Sequence, residues 1–265
     1  MLSYPATIPL SNRTLNHLAE RIRSHRQQRN SRWRRLPPGR QALLALTHVR
    51  NGDTYTRLAA GFQIGIATAW ALQEAIALLS AAADDLHTTM QRIRYLAYAI
   101  LDGTLIPIDR VADQRPCYSG KQERHGVNVQ VVADAVGRVV WASAALPGST
   151  RGLTAARTRG IIDALTSADV MTFADKGYQG ARGSVRTPFK RRRCRPRLSR
   201  RQKAIHQIHA KIRACGERAI VTLKTWKILT KLRCCPRRAT AIVQAILVLH
   251  HVEADRRRKR LIKTT

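Results

Sequence analysis

The sequence predicts a mixed α/β domain preceded by an all-helical region, on three observations. Apolar residues recur at helical spacing from residue 40 to about 86. Beyond residue 95 the pattern changes to short β-branched runs separated by turn residues. Those runs follow the order strand, strand, strand, helix, strand, helix, which builds a mixed sheet with helices packed on it. With 265 residues and a hydrophobic fraction of 44%, the chain can bury one large core, or a main core and a smaller one.

Charge narrows the partner. Lys and Arg number 48 against 16 Asp and Glu, for a formal net charge of +32. Such a field repels itself unless a polyanion is at hand, which points to nucleic acid. A basic packing or ribosomal-type protein without chemistry is the plain alternative. An anionic membrane surface fits less well, because the core is well patterned and no stretch approaches the ~20 apolar residues of a membrane span. Cys117, Cys194, Cys215, Cys234 and Cys235 lack any Cys-x-x-Cys spacing. They read as reduced thiols of a cytoplasmic protein, not as zinc ligands or a disulfide framework. The opening "MLSYPATIPLSNRT" has no charged start followed by an apolar signal core. A cytoplasmic, nucleoid-associated protein is therefore expected.

Residues 1–39 read as a basic arm with one helix, "SNRTLNHLAERIRSHRQQ", ended by "NSRWRRLPPG". Residues 40–94 read as a helical region. "RQALLALTHVR", "YTRLAAGF" and "ATAWALQEAIALLSAAA" are three helices, and the tight "QIGI" before the third outlines a helix-turn-helix. An alanine-rich helical hairpin without DNA contacts has the same outline. Between Ile66 and Ala75 there is no Lys or Arg, and only Thr68, Gln73 and Glu74 are polar. Weak sequence reading in a major groove is expected of such a helix.

A helix over "TMQRIRYLAYA" leads into residues 95–252, the α/β domain. Its first three strands are "YAILDGTLIPID", "GVNVQVVAD" and "RVVWASAAL", the latter two joined in a hairpin around Ala135–Gly137. "TAARTRGIIDALTSA" reads as one helix and "DVMTFA" as the fourth strand. Residues 186–203, "RTPFKRRRCRPRLSRRQK", hold ten Lys/Arg and no acid and read as a loop. That insertion is either a solvated linker or a phosphate-backbone contact, and in so basic a chain the contact is better supported. A long helix over 203–229 and another over "ATAIVQAILVLHHV" follow. Residues 253–265, with "RRRKRLIK", read as a basic tail disordered until it meets a polyanion.

With so few acids, each position can be weighed singly. Most fall on helix faces, caps or turns. Asp102 instead lies inside the strand "YAILDGT", Asp175 closes "VMTFA", and Glu217 sits on the long helix. Offsets of 4 and 7 put Arg213, Glu217 and Lys224 on one stripe, with Ile212, Ile220 and Leu223 free to pack inward. Intrahelical salt bridges alone account for such a stripe. Alternatively, the two strand-borne aspartates and the helix-borne glutamate converge as oxygen donors for Mg²⁺, which prefers carboxylates, water and phosphate oxygens. Two such ions activate a water or 3′-hydroxyl and stabilise the leaving oxygen of a phosphodiester. Lys176, beside Asp175, would then meet phosphate.

Three stretches, "LDGTLIPI", "FADKGYQG" and the Arg-x3-Glu-x6-Lys of "RACGERAIVTLK", resemble bacterial insertion-sequence transposases of the DDE superfamily, in the group-five branch related to the Harbinger transposases. The resemblance implies an RNase H-like catalytic core in which Asp102, Asp175 and Glu217 are the catalytic and metal-binding triad. It implies Mg²⁺ or Mn²⁺ as cofactor, cleavage of transposon ends, and joining of the freed 3′-hydroxyl to target DNA by a homo-oligomer in a DNA complex. Arg213 and Lys224 inherit a role in binding DNA or orienting the glutamate. Lys190, Arg191, Arg192, Arg193, Arg195 and Arg197 of the basic insertion are the further DNA contacts expected.

Two departures from that group stand out. Ala210 occupies the place of a tyrosine often found three residues before the arginine. "PGSTRGLTAAR" has Arg151 and Gly152 where the group reads His-Asp at the start of the following helix. That aspartate would cap the helix or support the site without ligating metal. Its loss makes a catalytically impaired, transposase-derived DNA-binding protein the alternative reading.

Overall fold

The computed structural model describes residues 8–30, 36–109, 115–189, 198–234 and 236–263, with side chains at 115, 236–237 and from 256 onward left aside. It forms two compact units. The first comprises residues before 84 together with 224–232 and 238 onward; the second comprises 84–223 and 233–237.

The first unit is helical. It contains α1 (Asn12–Gln28), α2 (Pro38–Asn51), α3 (Tyr55–Phe62), α4 (Ile66–Ala69), α5 (Leu72–Ser80), a 3₁₀ turn (Lys227–Thr230) and α10 (Pro236–Lys263) from residue 238. Local chemistry sets the ends. Ser11 caps α1 by accepting from Thr14 N, Pro38 starts α2, and Thr54 caps α3 by accepting from Arg57 N. Gly52 closes α2 in the left-handed region at φ 72°, where a side chain would also meet the Lys227 backbone at 3.2 Å. α2 is the central helix, with Leu44, Ala45, Leu46 and Val49 buried beside Leu18, Ile22, Leu58, Phe62, Leu72 and Leu79. The start of α1 is tied to α10: Glu253 Oε1 accepts from Ser11 N at 2.8 Å and Ser11 Oγ at 2.6 Å, and from the Thr14 hydroxyl.

Two expectations for this unit need correction. The third helix of the helix-turn-helix is interrupted at Trp70–Ala71, where the bonds shorten to Ala71 N→Thr68 O and Gln73 N→Trp70 O. Both residues keep right-handed helical angles, so the helix tightens there instead of ending. The basic tail expected to be disordered continues α10 to Lys263. α10 from residue 238 groups with the helical unit.

The second unit begins with α6 (Leu86–Ile93), capped by Asp85 through a 2.7 Å bond from Thr88 N. Then come β1 (Ala99–Pro107), a 3₁₀ turn (Arg115–Cys117), β2 (Tyr118–Ser119), β3 (Arg124–Ala133), β4 (Val139–Ala142) and β5 (Leu146–Pro147). They are followed by α7 (Gly152–Thr158), α8 (Ile161–Ser167), β6 (Thr172–Ala174), a 3₁₀ turn (Lys176–Tyr178), β7 (Val185–Arg186) and α9 (Arg200–Lys224). The sheet runs β2-β3-β1-β6-β7, with β4 and β5 also paired to β3. β1 and β3 are antiparallel, whereas β1–β6 and β6–β7 are parallel. A long antiparallel meander continued by parallel strands is the mixed arrangement expected of an RNase H-like core.

The hairpin lies where the sequence placed it. Gly137 turns at φ 81°, and Asp134 Oδ1 accepts from Val136 N and Arg138 N. The helix expected over residues 154–168 is instead two, because Gly160 adopts φ 64° between α7 and α8. One face of the sheet is sealed by Met90 and Ile93 of α6 and by Ile161, Ile162 and Leu165 of α8, packed with Leu101, Val132 and Trp141. α9 covers the other face and starts at residue 200, so the last part of the basic insertion is helical. No single helix among the described residues is long and apolar enough to cross a membrane.

Candidate active site

Parallel pairing of β1 with β6 sets Leu101 beside Ala174. The next residues, Asp102 within β1 and Asp175 just past β6, therefore stand at the same level on neighbouring strands, about 4.8 Å apart in backbone spacing. This is the carboxyl end of the parallel pair, where open α/β sheets present their ligand sites. Asp175 Oδ1 accepts from Gly177 N at 2.8 Å and so caps the 3₁₀ turn that follows. A side chain at Gly177 would stand 2.9 Å from that oxygen and force it to shift. Asp102 Oδ1 accepts from Gly103 N at 2.8 Å. Burial raises the Asp102 carboxyl above its ordinary value; the charges of Asp175 and Glu217 push the same way, while the Gly103 bond and Arg213 oppose. Asp102, Asp175, Glu217 and Arg213 thus share one electrostatic neighbourhood.

Glu217 is brought there by the residue before it. A Cβ at Gly216 would lie 2.7 Å from Ile100 Cγ2, so α9 rests on β1 with no room for a side chain between them. Ile100 and Asp102 point to the same face of β1. Further along α9, buried His209 meets Phe173 of β6 edge-on at 5.5 Å, its Nε2 3.3 Å from Arg186 O. Leu223 is buried as the stripe predicted, and Ile212 and Ile220 are half-buried. Arg213 Nη2 lies 3.5 Å from Glu217 Oε1, and the glutamate side chain is 65% exposed. No three His, Cys, Asp or Glu among the described residues are gathered closely enough to hold a metal ion together. The two aspartates stand side by side, whereas Glu217 reaches Asp102 through its charge and is held by Arg213.

Behind the aspartates lies a buried polar chain that the sequence did not signal. Tyr178, 2% exposed, donates its hydroxyl to Gln130 Oε1 at 2.5 Å. Gln130 Nε2 donates to Asn128 Oδ1 at 2.8 Å, and Asn128 Nδ2 donates to Thr150 O at 2.6 Å. The Gln130 backbone N–H is taken up by Ser143 Oγ at 2.9 Å. This chain links the turn after Asp175, the strand beside Asp102 and the loop leading into α7. A Cβ at Gly103 would come within 3.0 Å of the Tyr178 hydroxyl. Burial pushes the phenol well above its ordinary value, and the charges of Asp102 and Asp175 add to the shift. The clue available beforehand was the alternation in "NVQVV", which turns Asn128 and Gln130 to one face of an otherwise apolar strand.

The departure at 151–152 also has a definite place. Arg151 is the N-cap of α7 without a side-chain cap bond, and Gly152 is its first helical residue. An acid at 152 would therefore sit in the first turn, not at the cap. Its Cβ would stand 3.2 Å from Tyr178 Cζ. Both residues line a cleft of about 630 Å³ that also takes in Asp102, Asp175, Lys176 and Lys121. Three exposed cations, Lys121, Arg151 and Lys176, thus rim the carboxylates. Lys224 closes α9 with an exposed side chain. Lys190, Arg191, Arg192, Arg193, Arg195 and Arg197 lie outside the described residues.

Comparison with known proteins identifies the family. Residues 101–251 match the family described as DDE superfamily endonuclease, and residues 34–76 match the family described as helix-turn-helix of DDE superfamily endonuclease. The chain is 34% identical over 135 residues to the protein named "Putative transposase for insertion sequence element IS112" from Streptomyces albus G. That alignment takes in 51% of this chain and 50% of the relative, so the chain spans about half the length of the curated relative it matches. No solved structure matches. With more than half of its length within the first of those families, the chain belongs to the DDE superfamily endonucleases.

Proposed function

We propose that the protein is a transposase that binds DNA, cleaves the ends of its element and joins the freed 3′-hydroxyl to a target. The observation that carries this reading is the pair Asp102 and Asp175 at one level on adjacent parallel strands, with Glu217 brought within their electrostatic reach by α9. Carboxylate oxygens are the donors Mg²⁺ and Mn²⁺ prefer, so the side chains fit the cation. Asp102 and Asp175 would hold it, with Glu217 completing the set when it turns from Arg213. Bound there, the cation supplies activation of the attacking oxygen and neutralisation of the leaving one.

The chain's own groups do the rest. Lys121, Arg151 and Lys176 hold phosphates at the cleft, and Arg213 keeps Glu217 oriented until it is needed. The Tyr178–Gln130–Asn128 chain fixes the turn that presents Asp175. Residues 40–94 serve as the DNA-binding region and 95–252 as the catalytic domain, with the arm 1–39, the insertion near 186–203 and the tail 253–265 adding phosphate contacts. Action on two ends requires a homo-oligomer on DNA, at the nucleoid.

The test is nicking of a plasmid that carries the element's own ends, in Mg²⁺ or Mn²⁺. Asp102→Asn, Asp175→Asn and Glu217→Gln should each abolish nicking while DNA affinity stays at or above that of the parent. Nicking that survives all three changes would remove these residues from the site.

A further inference from the structure

The helix-turn-helix carries a feature that the catalytic reading does not use. α3 and the α4–α5 helix bend by 105° across the turn at residues 63–65, within the ~90–120° of DNA-binding helix pairs. In that motif the first residues of the second helix meet the base edges. Here those residues are Ile66, 50% exposed, exposed Ala67, and Trp70, 46% exposed. Positions i, i+1 and i+4 share one side of a helix. No Lys or Arg occurs from residue 64 to 91.

Ile66 and Trp70 thus leave half of two large apolar side chains exposed beside Ala67, at the place where this motif meets base edges, on a chain of net charge +32. This surface is also held firmly. The Trp70 ring stacks on Tyr55 at 4.6 Å and 18°, and the Arg238 guanidinium lies 5.4 Å from its centroid. Gln73 Nε2 in turn bonds the Tyr55 hydroxyl. The one methyl group that the bases present in a major groove is the C5 methyl of thymine.

We infer that Ile66, Ala67 and Trp70 read thymine methyl groups, so that the sequence bound by this unit is rich in A·T pairs. The inference rests on the DNA-binding reading above and gives its specificity a chemical basis. Affinity that is blind to sequence comes from basic groups elsewhere on the chain. The helix that looks featureless for hydrogen-bond readout is therefore a reader of a different kind.

The experiment selects duplexes from a library with a random 12-bp core on the full-length chain, then resynthesises the winner with deoxyuridine in place of thymine. That exchange removes the methyls alone. The enriched core should be A·T-rich, and each contacted methyl should be worth about fourfold in Kd, from ~0.8 kcal/mol per buried methylene. Ile66→Ala and Trp70→Ala should lower affinity for the thymine duplex and leave the deoxyuridine duplex unchanged. A G·C-rich winner, or thymine and deoxyuridine duplexes bound within twofold of each other, overturns the inference while leaving DNA binding intact. If Ile66→Ala instead turns an oligomer into a monomer and the thymine preference persists, the surface belongs to a second copy and the inference falls. Loss of all salt-dependent DNA binding in the parent chain would overturn the functional reading itself.

Discussion

Tyr178→Phe removes one oxygen and leaves the ring, so it isolates the buried hydrogen bond to Gln130 at 2.5 Å. Gln130 is 0% exposed, and without the phenol its Oε1 loses this donor in a place where bulk water cannot substitute freely. An acceptor stranded in this way costs about 1–3 kcal/mol, whereas removing both partners together is close to neutral. Melting should therefore fall by roughly 2–12 °C, at about 2–4 °C per kcal/mol for a unit of this size. Tyr178→Phe combined with Gln130→Met should lose less than the sum of the single changes. The same substitution should slow single-turnover nicking by roughly 10–100-fold, as removal of groups supporting a metal ligand does, with DNA affinity unchanged. The assays are thermal and urea unfolding for the first quantity and plasmid nicking with fluorescence anisotropy for the second. A Tyr178→Phe protein as stable and as fast as the parent would show that this chain of bonds does not hold the aspartates.

Three further outcomes follow from the geometry. Gly216→Ala puts a Cβ 2.7 Å from Ile100 Cγ2; it should destabilise by about 1–3 kcal/mol and impair nicking, and Ile100→Ala should relieve part of the loss in urea melts. Buried His48, whose Nδ1 donates to Asp53 O at 2.7 Å, has its pKa lowered by burial against the opposing effect of Asp53. The unfolded chain therefore takes up a proton first, so stability is full above about pH 6.5 and falls as pH drops below it, by up to ~1.4 kcal/mol per unit; His48→Gln should flatten that dependence in unfolding measured from pH 7.5 to 5.5. DNA affinity should fall along a log–log salt slope of about −5 or steeper, as for a protein touching six or more phosphates, and a flat salt titration would contradict the charge argument.

What was legible in advance divides along physical lines. Asp102 and Asp175 could be placed because strand alternation and the end of an apolar run are local signals, and "DAVGR" fixed its hairpin for the same reason. The breaks at Gly160 and at Trp70–Ala71 were not legible, since apolar spacing continues across both and only backbone geometry separates them. Tyr178 and Gln130 stand 48 residues apart, and no pattern along the chain announces a hydrogen bond across a sheet. The stripe of Arg213 and Glu217 admitted a salt bridge and a metal ligand alike; the pair stands 3.5 Å apart, and the glutamate's charge is felt at Asp102. The tail "RRRKRLIK" was misjudged because dense like charge opposes helix only when nothing upstream nucleates one, and the apolar part of α10 does so.

The bonds from Ser11 and Thr14 to Glu253 give the helical unit an unusual order of assembly. On the ribosome, α1 emerges long before its partner: the carboxylate that fastens its first turn is made some 240 residues later. The entire α/β unit is synthesised inside that interval, as an insertion whose two ends return to the same helical body. A chain cut short before Glu253 would keep Asp102, Asp175 and Glu217 and lose the fastening of α1. Nonsense and frameshift products should accordingly be found by proteases at α1, far from the place where translation stopped.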